Sequence, residues 1–137
     1  MAQFYLLSIL ANMIASLSLA GDYFGSKIAW LSVFKDVRGS RGARLTIGIS
    51  ALAIGIIKLF VLSPGEHILI LGDLLPALAG ISLGAILLAE LNLVHVEQAG
   101  ERIRTISKTA MSYRVPIGIT GLVVAVLHFL FPSLAVL

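Results

Sequence analysis

Apolar residues in this chain gather into four runs, and the run from Ile68 to Leu91 (ILILGDLLPALAGISLGAILLAEL) sets the pattern for the others. Its length matches the roughly 20 residues that cross a hydrocarbon core. Small residues Gly80 and Gly84 form a seam along it, and it closes on an acid, Glu90. Runs of similar character extend from Phe4 to about Tyr23, from about Arg44 to Leu62, and from about Val115 to Phe131.

These runs pair off as copies. Leu6–Asp22 set over Leu74–Glu90 repeats Leu6, Leu7, Leu10, Ala11 and Leu19 in place, with Asp22 opposite Glu90. With a shift of two further residues, Arg44–Phe60 lies over Arg114–Leu130; Arg, Ile-Gly-Ile and a Leu recur, and Lys58 falls opposite His128. The chain thus reads as a helical hairpin written twice, over residues 4–62 and 68–132, within a single membrane domain of residues 1–137. Ser8, Asn12 and Ser16 share one helical face, matched by Pro76, Gly80 and Gly84 in the second copy. Rows of small residues let another helix backbone approach closely, so this seam predicts helix packing.

The connections have their own patterns. Between Gly21 and Ala43, the stretch Ile28–Phe34 suits a short interfacial segment beside Lys27 and Lys35. Arg38-Gly-Ser-Arg-Gly reads as a turn, and Ser63-Pro64-Gly65 predicts a tight one that makes the second and third spans antiparallel neighbours. From Val94 to Met111 a stripe of Val96, Ala99, Ile103, Ile106 and Ala110 opposes Glu97, Glu101, Arg104 and Lys108. That is the pattern of an amphipathic helix projecting from or lying under a membrane, or docking a partner. Pro76 predicts a kink inside the third span, where membrane neighbours compensate the missing hydrogen bond.

Composition turns these runs into a membrane protein. Hydrophobic residues make up 58% of the chain and charged ones 12%, with a mean hydropathy of +1.03. A soluble domain usually has about a quarter of its residues charged. The expected fold class is an all-α integral membrane protein with four transmembrane helices, arranged as two tandem hairpins of the same orientation, plus a cytoplasmic amphipathic helix. A cleaved signal peptide is the alternative for the first run, but Met-Ala-Gln-Phe lacks a basic start and the run has a span as its copy. It is expected to be retained.

Every Lys and Arg except Lys58 falls in two segments, residues 27–44 and 102–114. Short basic loops stay on the cytoplasmic side. This predicts a bacterial or archaeal cytoplasmic membrane with both termini outside. Lys35, Arg38, Arg41, Arg102, Arg104 and Lys108 then face lipid headgroups, anionic ones above all, or a partner, which leaves the net charge of +3 no need of nucleic acid.

Candidate chemistry lies at the ends of the spans. An acid closes each descending helix and an Arg opens each ascending one, which predicts the pairs Asp22–Arg44 and Glu90–Arg114. These read either as locks for each hairpin or as a cation or proton site. On the other side, Lys58 is expected to snorkel to headgroups, or to pair with Asp73 while His128 serves as a proton-titrating partner. Asn12 is the remaining polar group inside a span. The chain has no cysteine, and His67, His95 and His128 are scattered, so no metal, cofactor or catalytic grouping is expected. The leading expectation is a small oligomeric transporter or channel-like protein whose pathway forms between subunits, lined by Asn12 and the small-residue faces. The alternative is a non-catalytic subunit or assembly factor of a larger membrane complex.

Overall fold

The computed structural model describes residues 2–60, 69–92 and 101–131, and among these residues it is helical without a strand. In order, the helices are α1 (Ala2–Leu19), α2 (Gly21–Lys27), α3 (Val33–Gly39), α4 (Arg41–Phe60), α5 (Leu69–Asn92), α6 (Glu101–Ser112) and α7 (Arg114–Leu130). A 3-10 turn at Ala29–Ser32 joins α2 to α3. By length and composition α4, and α5 over Leu74–Leu91, can each cross a membrane. The pairs α1–α2 and α6–α7 qualify only when each is taken as one bent span, with bends of 78° and 52°. Two to four crossings are therefore available.

The first span is shorter than its hydropathy suggests. Helix α1 ends at Leu19 because Ala20 leaves helical geometry (φ −96°, ψ 14°) and the chain swings into α2. Close approach enforces the swing: a Cβ on Gly21 would lie 3.0 Å from the carbonyl carbon and oxygen of Phe34. Gly25 likewise meets the Cα of Ser32, at 3.2 Å from its would-be Cβ. Residues 21–39 consequently fold back on themselves as a compact strap. The expected turn at Arg38–Gly42 is narrower than its glycines imply, since α3 runs through Gly39 and α4 starts at Arg41. Only Ser40 is extended (φ −78°, ψ 119°), and its Oγ accepts from the Ala43 N–H at 3.4 Å, a serine capping a helix start. The amphipathic helix appears as α6; its expected first part, 94–100, lies outside the described residues, as does the turn at 63–65.

Helices α1, α4, α5 and α7 make the bundle. The most extensive packing is α4 on α5 and α1 on α7, while α1 and α5 also touch each other and lie between the other two. Small residues permit this. A Cβ on Gly84 would sit 2.7 Å from Gly48 O and Leu52 N, and one on Gly55 2.8 Å from Ala77 O. The buried face of α4 is Gly48, Ala51, Gly55 and Lys58; that of α7 is Gly118, Gly121, Ala125 and His128. These are matching positions in the aligned halves. Their contacts match too, with Gly48 against Leu88 and Gly118 against Ala20.

The distribution of polarity is that of a protein with an apolar surround. Leu6, Leu10, Ile49, Ile56, Leu75 and Val123 are exposed, while Ser8, Asn12, Ser16 and Ser18 are buried. A water-soluble bundle of this size would bury the first set and expose the second.

Candidate functional site

Two polar clusters close the ends of the bundle, and a line of buried polar side chains runs between them. At one end stand Asp22 from α2, Arg38 from α3, Arg44 from α4, Glu90 from α5 and Arg114 from α7. Arg38 is the hub. Its Nε and Nη2 donate to Glu90 Oε2 and Oε1 at 3.5 and 3.2 Å, and its Nη1 donates to Asp22 Oδ2. Arg114 donates to Asp22 Oδ2 at 3.0 Å and also lies 3.7 Å from Glu90 Oε1, while Arg44 approaches Glu90 Oε2 at 3.8 Å. Glu90 is the buried member, with 3% of its side chain exposed. A carboxylate at that depth needs charged partners, and it has three.

This corrects the expected pairing. Asp22 is bonded not to Arg44 but to Arg38 and Arg114, and Glu90 takes Arg38 and Arg44 as well as Arg114. The clamps run across the two halves of the sequence because α4 packs on α5 and α7 on α1. Arg38, expected among the headgroup contacts, instead points into the cluster. Lys35, Arg41, Arg102, Arg104 and Lys108 are exposed, at positions open to headgroups or to a partner.

At the opposite end Lys58 of α4 and His128 of α7 meet, Nζ to Nε2, at 3.3 Å. Each is only 7% exposed, so Lys58 does not snorkel outward; it lies on the same face as Gly48 and Gly55, which is turned into the bundle. Tyr5 of α1 completes the group. Its ring lies 4.7 Å from that of His128 and 5.9 Å from Lys58 Nζ, and its hydroxyl donates to the His128 carbonyl. A lysine ammonium only donates, so with Lys58 charged the contact requires an accepting Nε2 and places the imidazole proton on Nδ1. Asp73, the other expected partner of Lys58, has a side chain outside the described set.

Between the clusters, Asn12 donates from Nδ2 to Pro76 O at 2.9 Å, joining α1 to α5 beside the proline. Its Oδ1 lies 2.9 Å from the would-be Cβ of Gly80. Asn12 is thus inside the protomer, and the expected pathway lined by Asn12 between subunits is overturned. One turn on in each direction lie Ser16 and Ser8, also buried. Ser8 returns its hydroxyl to the Tyr5 carbonyl, whereas the oxygens of Ser16 and Ser18 are buried without a hydrogen-bond partner in this structure. An open groove between α5 and α7, lined by Leu75, Leu78, Ile117 and Val124, is apolar and faces outward. Among the described residues, no three His, Cys, Asp or Glu side chains gather as a metal site would require.

Sequence reasoning missed Arg38 as the hub and the inward turn of Lys58. The second had a signal: Gly48, Ala51, Gly55 and Lys58 recur at spacings of one helical face, as do Gly118, Gly121, Ala125 and His128.

A family model matches the chain over residues 1–128. No curated protein and no solved structure matches it.

Proposed function

Because the chain belongs to that family, a domain of unknown function, we propose its role from its own geometry: a small membrane transporter for a monovalent cation or protons. The observation that carries this reading is the buried polar line from Asp22–Arg38–Glu90 past Ser16 and Asn12 to Lys58–His128, set in a bundle whose outside is apolar. Polar and charged groups are costly inside a membrane, and their retention along one internal line is the mark of a substrate or proton route. The route lies within one chain. A homo-oligomer would pack such units together without having to build the path.

The matching buried faces of α4 and α7 support a duplicated unit and a four-span bundle in which each bent pair acts as one crossing. The basic end, with Lys35, Arg41, Arg102, Arg104 and Lys108, faces the cytoplasm and its anionic lipids, leaving both termini outside. The test is flux in proteoliposomes of the purified chain. Cation or proton movement that Asn12→Leu and Glu90→Gln abolish, with helical content unchanged, supports the reading. Absence of flux for protons and for every monovalent cation tried sinks it.

A second reading is favoured by α6, whose Ile103 and Ile106 are 54% and 69% exposed beside charged Glu101, Arg102 and Arg104. As a subunit of a larger membrane complex, the protein would use this helix as its docking face. Gentle purification followed by native mass spectrometry discriminates: a stoichiometric foreign chain, lost on charge reversal in α6, favours the subunit over an autonomous transporter.

A further inference from the structure

Arg38 is bound as a ligand would be. It presents three different nitrogens to two carboxylates, Nε and Nη2 to Glu90 and Nη1 to Asp22, and so lies flat between acids contributed by the two halves of the chain. Such a fork matches carboxylate geometry in a way that an ammonium point charge does not. The cluster is already balanced without it. Arg44 and Arg114 alone offset Glu90 and Asp22, yet the acids hold a third cation.

That third cation arrives on a separable piece of chain. Arg38 sits near the end of α3, at the far end of the strap that begins at Gly21, and only Ser40 separates the strap from α4. The strap is tight against itself, through Gly21 on Phe34 and Gly25 on Ser32, so it can move as one body. Its exposed Trp30, Ile28 and Val33 leave much of its apolar surface uncovered by the bundle.

We propose that the Asp22–Glu90 pair is a binding site for small planar monocations of the guanidinium class, and that Arg38 is its tethered occupant, withdrawn when the strap lifts. Cargo and Arg38 exclude each other. The strap is therefore a gate that closes on an empty site, keeps Glu90 paired, and opens only against a cation able to replace the same N–H donors. The proposal rests on the reading of the polar line as a cation route, and its test separates the two.

Trp30 is the single tryptophan of the chain and lies on the strap, 73% exposed, so its emission reports strap position. The full-length protein in lipid nanodiscs is titrated with guanidinium well below denaturing concentrations, with tetramethylammonium, which has no N–H, as the control. A saturable change in Trp30 emission with guanidinium alone is expected. Arg38→Gln should show the altered emission before any addition. By calorimetry it should bind guanidinium about tenfold more tightly or better, because removing a competing occupant frees the competent state. Arg38→Lys keeps the charge without the fork and should fall between; it also serves if Arg38→Gln loses helical content. Silence of Trp30 toward guanidinium, or a variant that binds no tighter, overturns the proposal. A Trp30 response with no guanidinium flux in proteoliposomes upholds the site and defeats the transporter reading. Flux unchanged by Arg38→Gln and Arg38→Lys leaves a transporter and defeats the gate.

Discussion

Lys58 and His128 occupy matching positions in the two halves of the sequence and meet side chain to side chain, with Nζ 3.3 Å from Nε2. Both are buried, on the faces that α4 and α7 turn into the bundle. A buried donor left without its acceptor costs about 1–3 kcal/mol. His128→Leu is therefore expected to lower stability by that amount, measured by denaturation in detergent. Replacing both groups, as Lys58→Met with His128→Leu, should cost less than the sum of the single changes, because neither polar group then remains to be satisfied. Additive costs would mean that the contact contributes nothing.

The clamps at the other end cross between the halves. A double-mutant cycle on Asp22 and Arg114, which bond at 3.0 Å with 39% and 29% of their side chains exposed, should give a coupling of about 0.2–1 kcal/mol. The cycle on Glu90 and Arg38 should exceed it, at about 1.5–3 kcal/mol, since Glu90 is buried and receives two charged donors. A cycle on Asp22 and Arg44 should be close to zero. A strong Asp22–Arg44 coupling would restore the hairpin lock that the sequence pattern suggests.

That contrast shows where the sequence is informative. Residues with a local cause were legible: the apolar runs, the small-residue seam of Gly80 and Gly84, the equivalence of Lys58 and His128, and the polarity of Asn12. Partners chosen by the tertiary arrangement were not. Asp22 matches Glu90 along the chain, but which arginine reaches it depends on α1 packing against α7 and on the break at Ala20. Arg38 was hidden for the same reason. Flanked by Gly39 and a run of basic residues, it has the local pattern of a surface turn, and only the fold-back of residues 21–39 carries it to the acids. The snorkelling expectation for Lys58 failed differently, because reach along the helix was weighed without asking which face the residue shares.

Glycines divide into two kinds with opposite expectations. Gly84 faces backbone: an added methyl would lie 2.7 Å from Gly48 O and Leu52 N, and neither can yield as a side-chain tip would. Gly84→Ala should cost about 1–3 kcal/mol through overpacking and force α4 away from α5. Gly42, in the first turn of α4, has nothing within 4 Å of its would-be Cβ. There the same change should be neutral or stabilising, by up to about 1 kcal/mol, from helix propensity alone. Unfolding midpoints of the two variants in one detergent check this; equal losses would mean that α4 and α5 do not approach as closely as described.

Asn12 joins the packing to the proposed route. Its Nδ2 donates to the Pro76 carbonyl at 2.9 Å, and its Oδ1 lies toward Gly80, so the side chain sits where α1 and α5 are closest. Interhelical hydrogen bonds of this kind contribute about 0.6 kcal/mol on average and up to about 2 in membrane bundles. Asn12→Leu should thus lower stability only modestly, and the protein should remain folded. If the buried polar line is the route, the same substitution interrupts it at its middle, halfway between the Asp22–Glu90 and Lys58–His128 clusters, and flux should fall by an order of magnitude or more while guanidinium binding at the acids persists. Asn12→Ser, which keeps a hydroxyl at that position, should retain part of the flux. Loss of binding and flux together would instead make Asn12 a packing residue whose removal distorts the acidic end, and Asn12→Leu transporting as well as the parent would place the route elsewhere.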